Sequence, residues 1–512
     1  MAVVEQTTPL ALVEKSKLIK SLRRFDMVFF TICAFVGLDT LGTVAKNGPE
    51  GFLWLLVTAL LFVAPYMLLM AEVGAAFTME GGPYEWTKLA FGRLHGGIAA
   101  VLYWVTNPLW VGGSLAFTAV AAWSANVSKI GNGTFGDYVF CLVFIWLSIG
   151  VAIISLRVGK WIPNFGAVLR YLVLGFFSIT MIVYGAKHGF SNFQGHFAPT
   201  RAVFFALVPV LLFNYVGFEL QNGAAEEMDD PQRDVPISIL RSGITGVLMY
   251  VVPVFCILLV LPASKVTNIG GFIDAVSVAF QGVYGGAAHG LLIVMTLCFI
   301  GALVTSGAVW MIGSDRIQAV AAYDGAFFPF FGVFNRRLGT PVRVNVMSGV
   351  VSSTFCIVAL AAFNAGQNAK FYVVLTIAIS TTLISYLWIF PAALKLRYSH
   401  PEVRRPFVHP WGRAGIWTSA ILTTFWVALG SWEGVFPGIL EKLFHVKYDF
   451  HGTWGVSRMT FEVLTIGTLA VIVAFGLVGY LVGAPLRRQI VAAEVDGPRP
   501  TQLPPDAATP LP

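Results

Sequence analysis

The feature that most restricts this chain is a recurrence of apolar runs about twenty residues long, separated by short polar stretches. As an α-helix, a run of that length matches the roughly 30 Å hydrocarbon core of a bilayer. The first run starts at Phe25. Others cover about 50–77, 97–125, 137–156, 163–186, 201–225, 242–262, 287–322, 344–364, 371–396, 413–436 and 459–484, which predicts twelve spans. Of the 512 residues, 57% are hydrophobic and 12% charged. Soluble domains carry about 25% charged residues, so a soluble enzyme, a disordered chain and a secreted disulfide scaffold are all excluded. The reading is an all-α membrane protein. Cys33, Cys141, Cys256, Cys298 and Cys356 lie inside apolar runs without a CxxC pair and read as reduced, buried thiols.

The net charge of +7 does not point to nucleic acid, because the cations sit in the loops, out of the lipid. If the N-terminus is inside, 23 of the 33 Lys and Arg fall on the cytoplasmic side and nine on the outer side, with Arg170 inside a helix. That asymmetry predicts a multi-pass protein of the cytoplasmic membrane with both termini cytoplasmic. Residues 1–24 form a basic N-terminal tail, and 397–413 are a basic, proline-rich loop. Residues 485–512 are expected to be a disordered C-terminal tail.

Two of the runs are interrupted at mid-membrane. The first reads Ala34-Phe-Val-Gly-Leu-Asp-Thr-Leu-Gly-Thr43, and the sixth Leu212-Phe-Asn-Tyr-Val-Gly-Phe-Glu-Leu-Gln-Asn-Gly223. Backbone groups freed by such breaks stay unsatisfied unless they face a cavity or a solute. Paired breaks in corresponding halves point to a transporter's binding site. Here the pair opens each of two five-helix sets, 25–186 and 201–396. An inverted repeat has this arrangement, and 413–484 would add two accessory helices. Amides at a half-helix N-terminus can hold a carboxylate, and carbonyls with an acidic side chain can hold an ammonium group. An amino acid or a small amine suits such a site; the alternative is that the glycines serve only close helix crossing. Asp39 costs roughly 2.5–3.5 kcal/mol near the bilayer centre and needs a partner. That partner is either the substrate's ammonium or the freed amides of its own helix. Glu219 has three readings: substrate ligand, proton-exchanging gate, or interhelical hydrogen bond.

The stretch Gly217-Phe-Glu-Leu-Gln-Asn-Gly-Ala-Ala-Glu-Glu-Met-Asp-Asp-Pro-Gln-Arg-Asp-Val-Pro236 resembles the helix-6 signature of the amino acid–polyamine–organocation (APC) permeases. Ala71-Glu-Val through Glu80-Gly-Gly-Pro-Tyr-Glu-Trp86, Ser314-Asp-Arg through Tyr323-Asp-Gly325, and Gly339-Thr-Pro-Val342 resemble other segments of that family in the same order. The resemblance covers about residues 22–480. It implies a LeuT-type 5+5 inverted repeat and secondary active transport of amino acids or amines by alternating access, coupled to protons or to a counter-substrate. It further implies a substrate held at Val36, Gly37, Leu38, Asp39 and Thr40 and at Phe213, Asn214, Tyr215, Gly217 and Glu219, with Phe213 or Tyr215 as an aromatic gate. The family's amino acid importers carry a Gly-Ser/Thr-Gly type run at the first break. Gly37-Leu-Asp-Thr-Leu-Gly42 departs from it, which favours a cation and keeps open a polyamine or organic-cation importer with Asp39 as the ammonium ligand. Arg170 stands near a lysine of relatives, where a cation replaces the sodium of sodium-coupled cousins; otherwise it snorkels to the interface.

Remaining candidates have two readings each. Asn107 and Trp110 line the pocket or anchor an interface. Thr305, Ser306, Trp310, Thr381, Thr382 and Ser385 are substrate contacts or ordinary interhelical bonds. Glu226, Glu227, Arg233 and Asp234, near a predicted loop at Ser314–Arg316, form an inner gate or a solvated cluster. The scattered histidines lack HExxH spacing, and there is no P-loop or GxSxG, so the reading is not an enzyme and needs neither metal nor cofactor. A receptor would need a larger signalling tail, and paired breaks argue against a channel.

Overall fold

The computed structural model describes residues 22–130, 133–158, 161–190, 200–262, 271–362, 367–454 and 456–495, together with 13–15, 17 and 266. Among these, the only β-pairing is one isolated bridge, Leu22 to Met228. Ten helices are long and apolar enough to cross a membrane. The first and sixth predicted spans are not among them, because each is split. The first is α1 (Arg24–Phe35) followed by α2 (Leu41–Lys46), and the sixth is α8 (Arg201–Asn214) followed by the 3₁₀ helix α9 (Leu220–Glu227).

Between the two breaks run α3 (Gly48–Ala76), the short α4 (Gly82–Phe91), α5 (Arg93–Asn126), α6 (Phe135–Val158) and α7 (Trp161–His188). After the second break come α10 (Pro231–Val260), α11 (Gly271–Tyr284), α12 (Ala288–Tyr323), α13 (Val342–Ala362) and α14 (Gln367–Ser399). The chain closes with α15 (Gly412–Val435), α16 (Arg458–Val482) and α17 (Ala484–Val495). The apolar window of α5 is 94% buried and that of α16 only 22%, so α5 is the central post and α16 a peripheral one. The exposed side chains of Val143, Leu147, Ile179, Val471 and Leu481 are apolar, as a lipid-facing surface requires. All five cysteines are free thiols.

Two expectations are corrected. Ser314–Arg316 is not a loop but lies within α12, fully buried. The C-terminal tail begins as a helix, α17, in which Arg487 stacks on the Tyr480 ring and donates to the carbonyls of Gly325 and Tyr480; residues 496–512 lie outside the described residues. The polar stretch after α3 folds as α4. It is bounded by Gly81 and Gly92, whose φ of 84° and 93° stop the flanking helices where a side chain would strain the backbone.

Candidate functional site

Ending α1 inside an apolar bundle leaves carbonyls that need donors from elsewhere. Three neighbouring helices supply them. Trp310 Nε1 donates to Ala34 O at 2.9 Å, Tyr250 Oη to Phe35 O at 3.0 Å and Arg170 Nε to Val36 O at 3.0 Å. Arg170 also donates to the carbonyls of Gly166 (2.7 Å) and Ala302 (2.9 Å) and to the hydroxyls of Thr305 and Ser306. Wholly buried among oxygens, it ties α7 and α12 to the break and does not snorkel to an interface. The amide beyond the break, Gly37 N–H, donates to Tyr250 Oη at 2.7 Å.

The second break repeats the first. Gly217 has φ of 123°, a conformation open to glycine, and a Cβ there would lie 2.9 Å from the Trp310 ring. Its N–H donates to Tyr66 Oη at 3.0 Å. The local sequences correspond, Gly37-Leu-Asp39 and Gly217-Phe-Glu219. Each glycine amide is capped by a tyrosine from the other half of the chain: Tyr250 on α10 serves the first break, Tyr66 on α3 the second.

A small cavity lies beside the breaks, bordered by Gly37, Asp39 and Thr40, by Phe213 and Asn214, by Thr106, Asn107 and Trp110 of α5, and by Tyr250, Trp310 and Thr382. Asp39 Oδ2 accepts from Trp110 Nε1 at 2.9 Å and from Ser114 Oγ. Its Oδ1 has no hydrogen-bond partner, and neither amide atom of Asn214 has one, although both residues are buried. Such atoms cost about 1–3 kcal/mol each when unmet, and both of these residues border the cavity. Its walls are aromatic: Trp110 meets Trp310 and Phe213 with ring centroids 6.3 and 5.8 Å apart, both edge-on. A free carboxylate oxygen among indole rings can hold an organic cation.

Of the expected residues, Gly37, Asp39, Thr40, Asn107, Phe213 and Asn214 border this cavity; Val36, Leu38, Tyr215, Gly217 and Glu219 do not. Val36 contributes only the carbonyl that Arg170 holds. Tyr215 packs against Phe35 and Tyr250 and donates to Leu55 O at 3.2 Å, so Phe213 is the aromatic that faces the cavity. Glu219 lies behind the break. It accepts from Tyr103 and Tyr386, both at 2.6 Å, and from Tyr66. Thr381 is spent on Thr106, at 2.8 Å. Sequence reasoning missed Tyr66, Tyr250, Ser114 and Tyr386. A signal existed for the tyrosines, which sit mid-run and not at the interfaces where membrane tyrosines collect.

The tyrosine cage yields a prediction. Glu219→Gln offers only one acceptor oxygen to three hydroxyl donors, and charge-assisted bonds of this kind are worth about 1.5–3 kcal/mol. Melting in detergent is expected to occur at a lower temperature while solute affinity changes less than about threefold, a shift below 1 kcal/mol. A large affinity loss with unchanged melting would place Glu219 on the solute instead.

At the face that carries the N-terminal segment, Arg316 reaches Glu227 at 3.0 Å and Glu80 at 3.6 Å, all three buried. Glu226 pairs with Lys15 at 2.7 Å and accepts from Glu80 N–H at 3.2 Å; Arg24 pairs with Asp234 at 2.6 Å. Arg233 stands apart: its side chain is exposed, and its N–H caps α10 on Asp230. The buried cation of this cluster is therefore Arg316 and not the expected Arg233, because helix α12 continues through Arg316 and carries it inward. Among the described residues, no group of three or more His, Cys, Asp or Glu is placed to hold a metal.

Ten apolar spans and two split helices capped reciprocally around a polar cavity define a multi-pass membrane transporter. Residues 22–448 match the family described as amino acid permease, and the chain belongs to that family. It is 28% identical over 389 residues to the Lactococcus lactis subsp. lactis protein named "Probable agmatine/putrescine antiporter AguD", covering 75% of this chain and 81% of the relative. It is 27% identical over 401 residues to an uncharacterized transporter of Legionella pneumophila, with 77% and 84% covered. With the methylthioribose transporter of Bacillus subtilis it shares 24% identity over 426 residues, with 78% and 86% covered.

Proposed function

We propose that this permease carries a small organic amine across the cytoplasmic membrane by alternating access, in exchange for a second amine, with Asp39 as the ammonium ligand. The observation that carries this reading is Asp39 Oδ1, a buried acceptor without a partner that borders an aromatic-walled cavity. Thr40, Asn107, Phe213 and Asn214 complete the lining, and the unmet amide of Asn214 serves a second polar group on the solute. Exchange is favoured by the name of the Lactococcus relative, an agmatine/putrescine antiporter. Arg170 is a fixed positive charge at the first break and does not release a proton. In this reading residues 25–186 and 201–396 are inverted halves, supported by the reciprocal tyrosine caps, and 413–484 are accessory. The face bearing Arg316, Glu227 and Glu80 is the cytoplasmic one in this reading, which the distribution of Lys and Arg supports. Their ion pairs close the inner path, which opens when they part.

Counterflow in proteoliposomes tests this directly. Labelled putrescine should enter several-fold faster into vesicles preloaded with agmatine than into empty ones, without a pH gradient. Uptake that ignores the preload and needs a proton gradient would refute exchange. Failure of both amines to enter under either condition would refute the amine reading.

A further inference from the structure

We infer that Tyr250 is a specificity determinant that turns away α-amino acids in favour of their decarboxylated amines, its hydroxyl filling the backbone site a substrate carboxylate would use. This inference rests on the amine reading above and names its selectivity.

A break in a membrane helix exposes amides, and an exposed amide beside a cavity is a ready dock for a carboxylate. Here the amide at the first break is already spent. Gly37 N–H donates to Tyr250 Oη at 2.7 Å, and the same hydroxyl donates its own proton to Phe35 O at 3.0 Å. One phenol oxygen thus bridges the Gly37 amide and the Phe35 carbonyl, which also meet each other at 3.2 Å. Tyr250 is 1% exposed, and edge contacts with Phe35 and Tyr215 at ring-centroid distances of 6.1 and 5.6 Å fix its ring. The hydroxyl cannot swing aside for an incoming anion without unmaking both bonds and that packing.

The second break offers no substitute dock. Gly217 N–H is held by Tyr66 Oη at 3.0 Å, and Tyr66 is also bonded to Glu219, outside the cavity lining. Charge adds to the occupancy. A Cβ built on Gly37 would lie 3.3 Å from Tyr250 Oη and 3.1 Å from Asp39 Oδ1, so an anion at the Gly37 amide would meet the Asp39 carboxylate. An ammonium finds the opposite conditions, a free carboxylate oxygen and aromatic faces. The two break amides that could hold a carboxylate are taken by tyrosine hydroxyls, and the acceptor left facing the cavity is Asp39 Oδ1.

Putrescine and ornithine differ by one α-carboxylate and so isolate this term. Equilibrium binding of each is measured on the full-length purified protein. The wild type should bind putrescine and discriminate against ornithine. Tyr250→Phe takes the hydroxyl away from the Gly37 amide and leaves it only the longer, 3.2 Å bond to Phe35 O, and a hydrogen bond from an amide to a carboxylate is worth roughly 10- to 150-fold in affinity. The ratio of ornithine to putrescine affinity is therefore expected to rise by about that factor in Y250F. An unchanged ratio in a Y250F protein that still binds putrescine would overturn the inference and leave the amine reading intact. Should Y250F not survive purification, the wild-type ratio decides: equal binding of the pair overturns the inference. A wild type that binds neither compound, or ornithine alone, overturns the amine reading and this inference with it.

Discussion

Asp39→Asn is expected to abolish amine binding while leaving the fold intact or slightly more stable. The amide keeps an oxygen for Trp110 Nε1 and Ser114 Oγ, the two donors that hold the carboxylate in place. It then turns its NH₂ toward the cavity, where the wild type presents the unpartnered Oδ1. An acceptor facing the solute becomes a donor, and an ammonium has no use for a donor. Removing one side of a buried charge pair costs about 2–5 kcal/mol, or roughly 30- to 4,000-fold in affinity. The variant should nevertheless be easier to bury than an aspartate. A capping role for Asp39 predicts the reverse, lower stability with unchanged affinity. The geometry favours the first outcome, because the Oδ2 partners are side chains of α5 and the Gly37 amide is taken by Tyr250. Putrescine affinity and detergent melting measured on one preparation separate the two; a D39N protein that binds putrescine as the wild type does would end the ammonium assignment.

The sequence carried the spans and the breaks because both are one-dimensional signals. Lipid imposes a run length, and glycine with a carboxylate in mid-run is conspicuous within a single window. Asp39 was legible for the same reason. Polar groups on distant helices were not. Gly37 and Tyr250 are 213 residues apart, and nothing in either local stretch says that one caps the other. Glu219 had three readings the sequence could not separate: its local sequence matches Asp39 two residues past a glycine, and the interhelical one holds, because three tyrosines on α3, α5 and α14 take up its oxygens. Arg233 was a better inner-gate candidate than Arg316 only while Ser314–Arg316 read as a loop. Helix α11 was overlooked because its apolar face is interleaved with polar positions in a stretch that reads as a connection.

Arg316→Ala is expected to have the largest effect on stability. The guanidinium donates to Glu227 and Gly339 O, both at 3.0 Å, and to Ile312 O at 3.1 Å, and it stands 3.6 Å from Glu80. Removing the cation strands two carboxylates in a buried cluster, which costs about 3–5 kcal/mol. The loss should depend on pH. Burial, and then the charge of Glu227, already hold the Glu80 carboxyl well above the usual carboxylate range, with Arg316 pulling the other way. A carboxyl raised on folding contributes stability that is fully present below its ordinary pKa and drains away as pH rises through the raised one. Without Arg316 to oppose that rise, R316A should melt near wild type in mild acid and progressively lower toward alkaline pH. Adding Glu80→Gln and Glu227→Gln removes the stranded charges, so the triple variant should recover most of the lost stability and flatten the pH dependence. Melting curves of the single and triple variants across pH decide the matter. If the triple variant is no more stable than R316A at any pH, the carbonyl bonds to Ile312 and Gly339 hold this face together, and the ion pairs to Glu227 and Glu80 do not latch it.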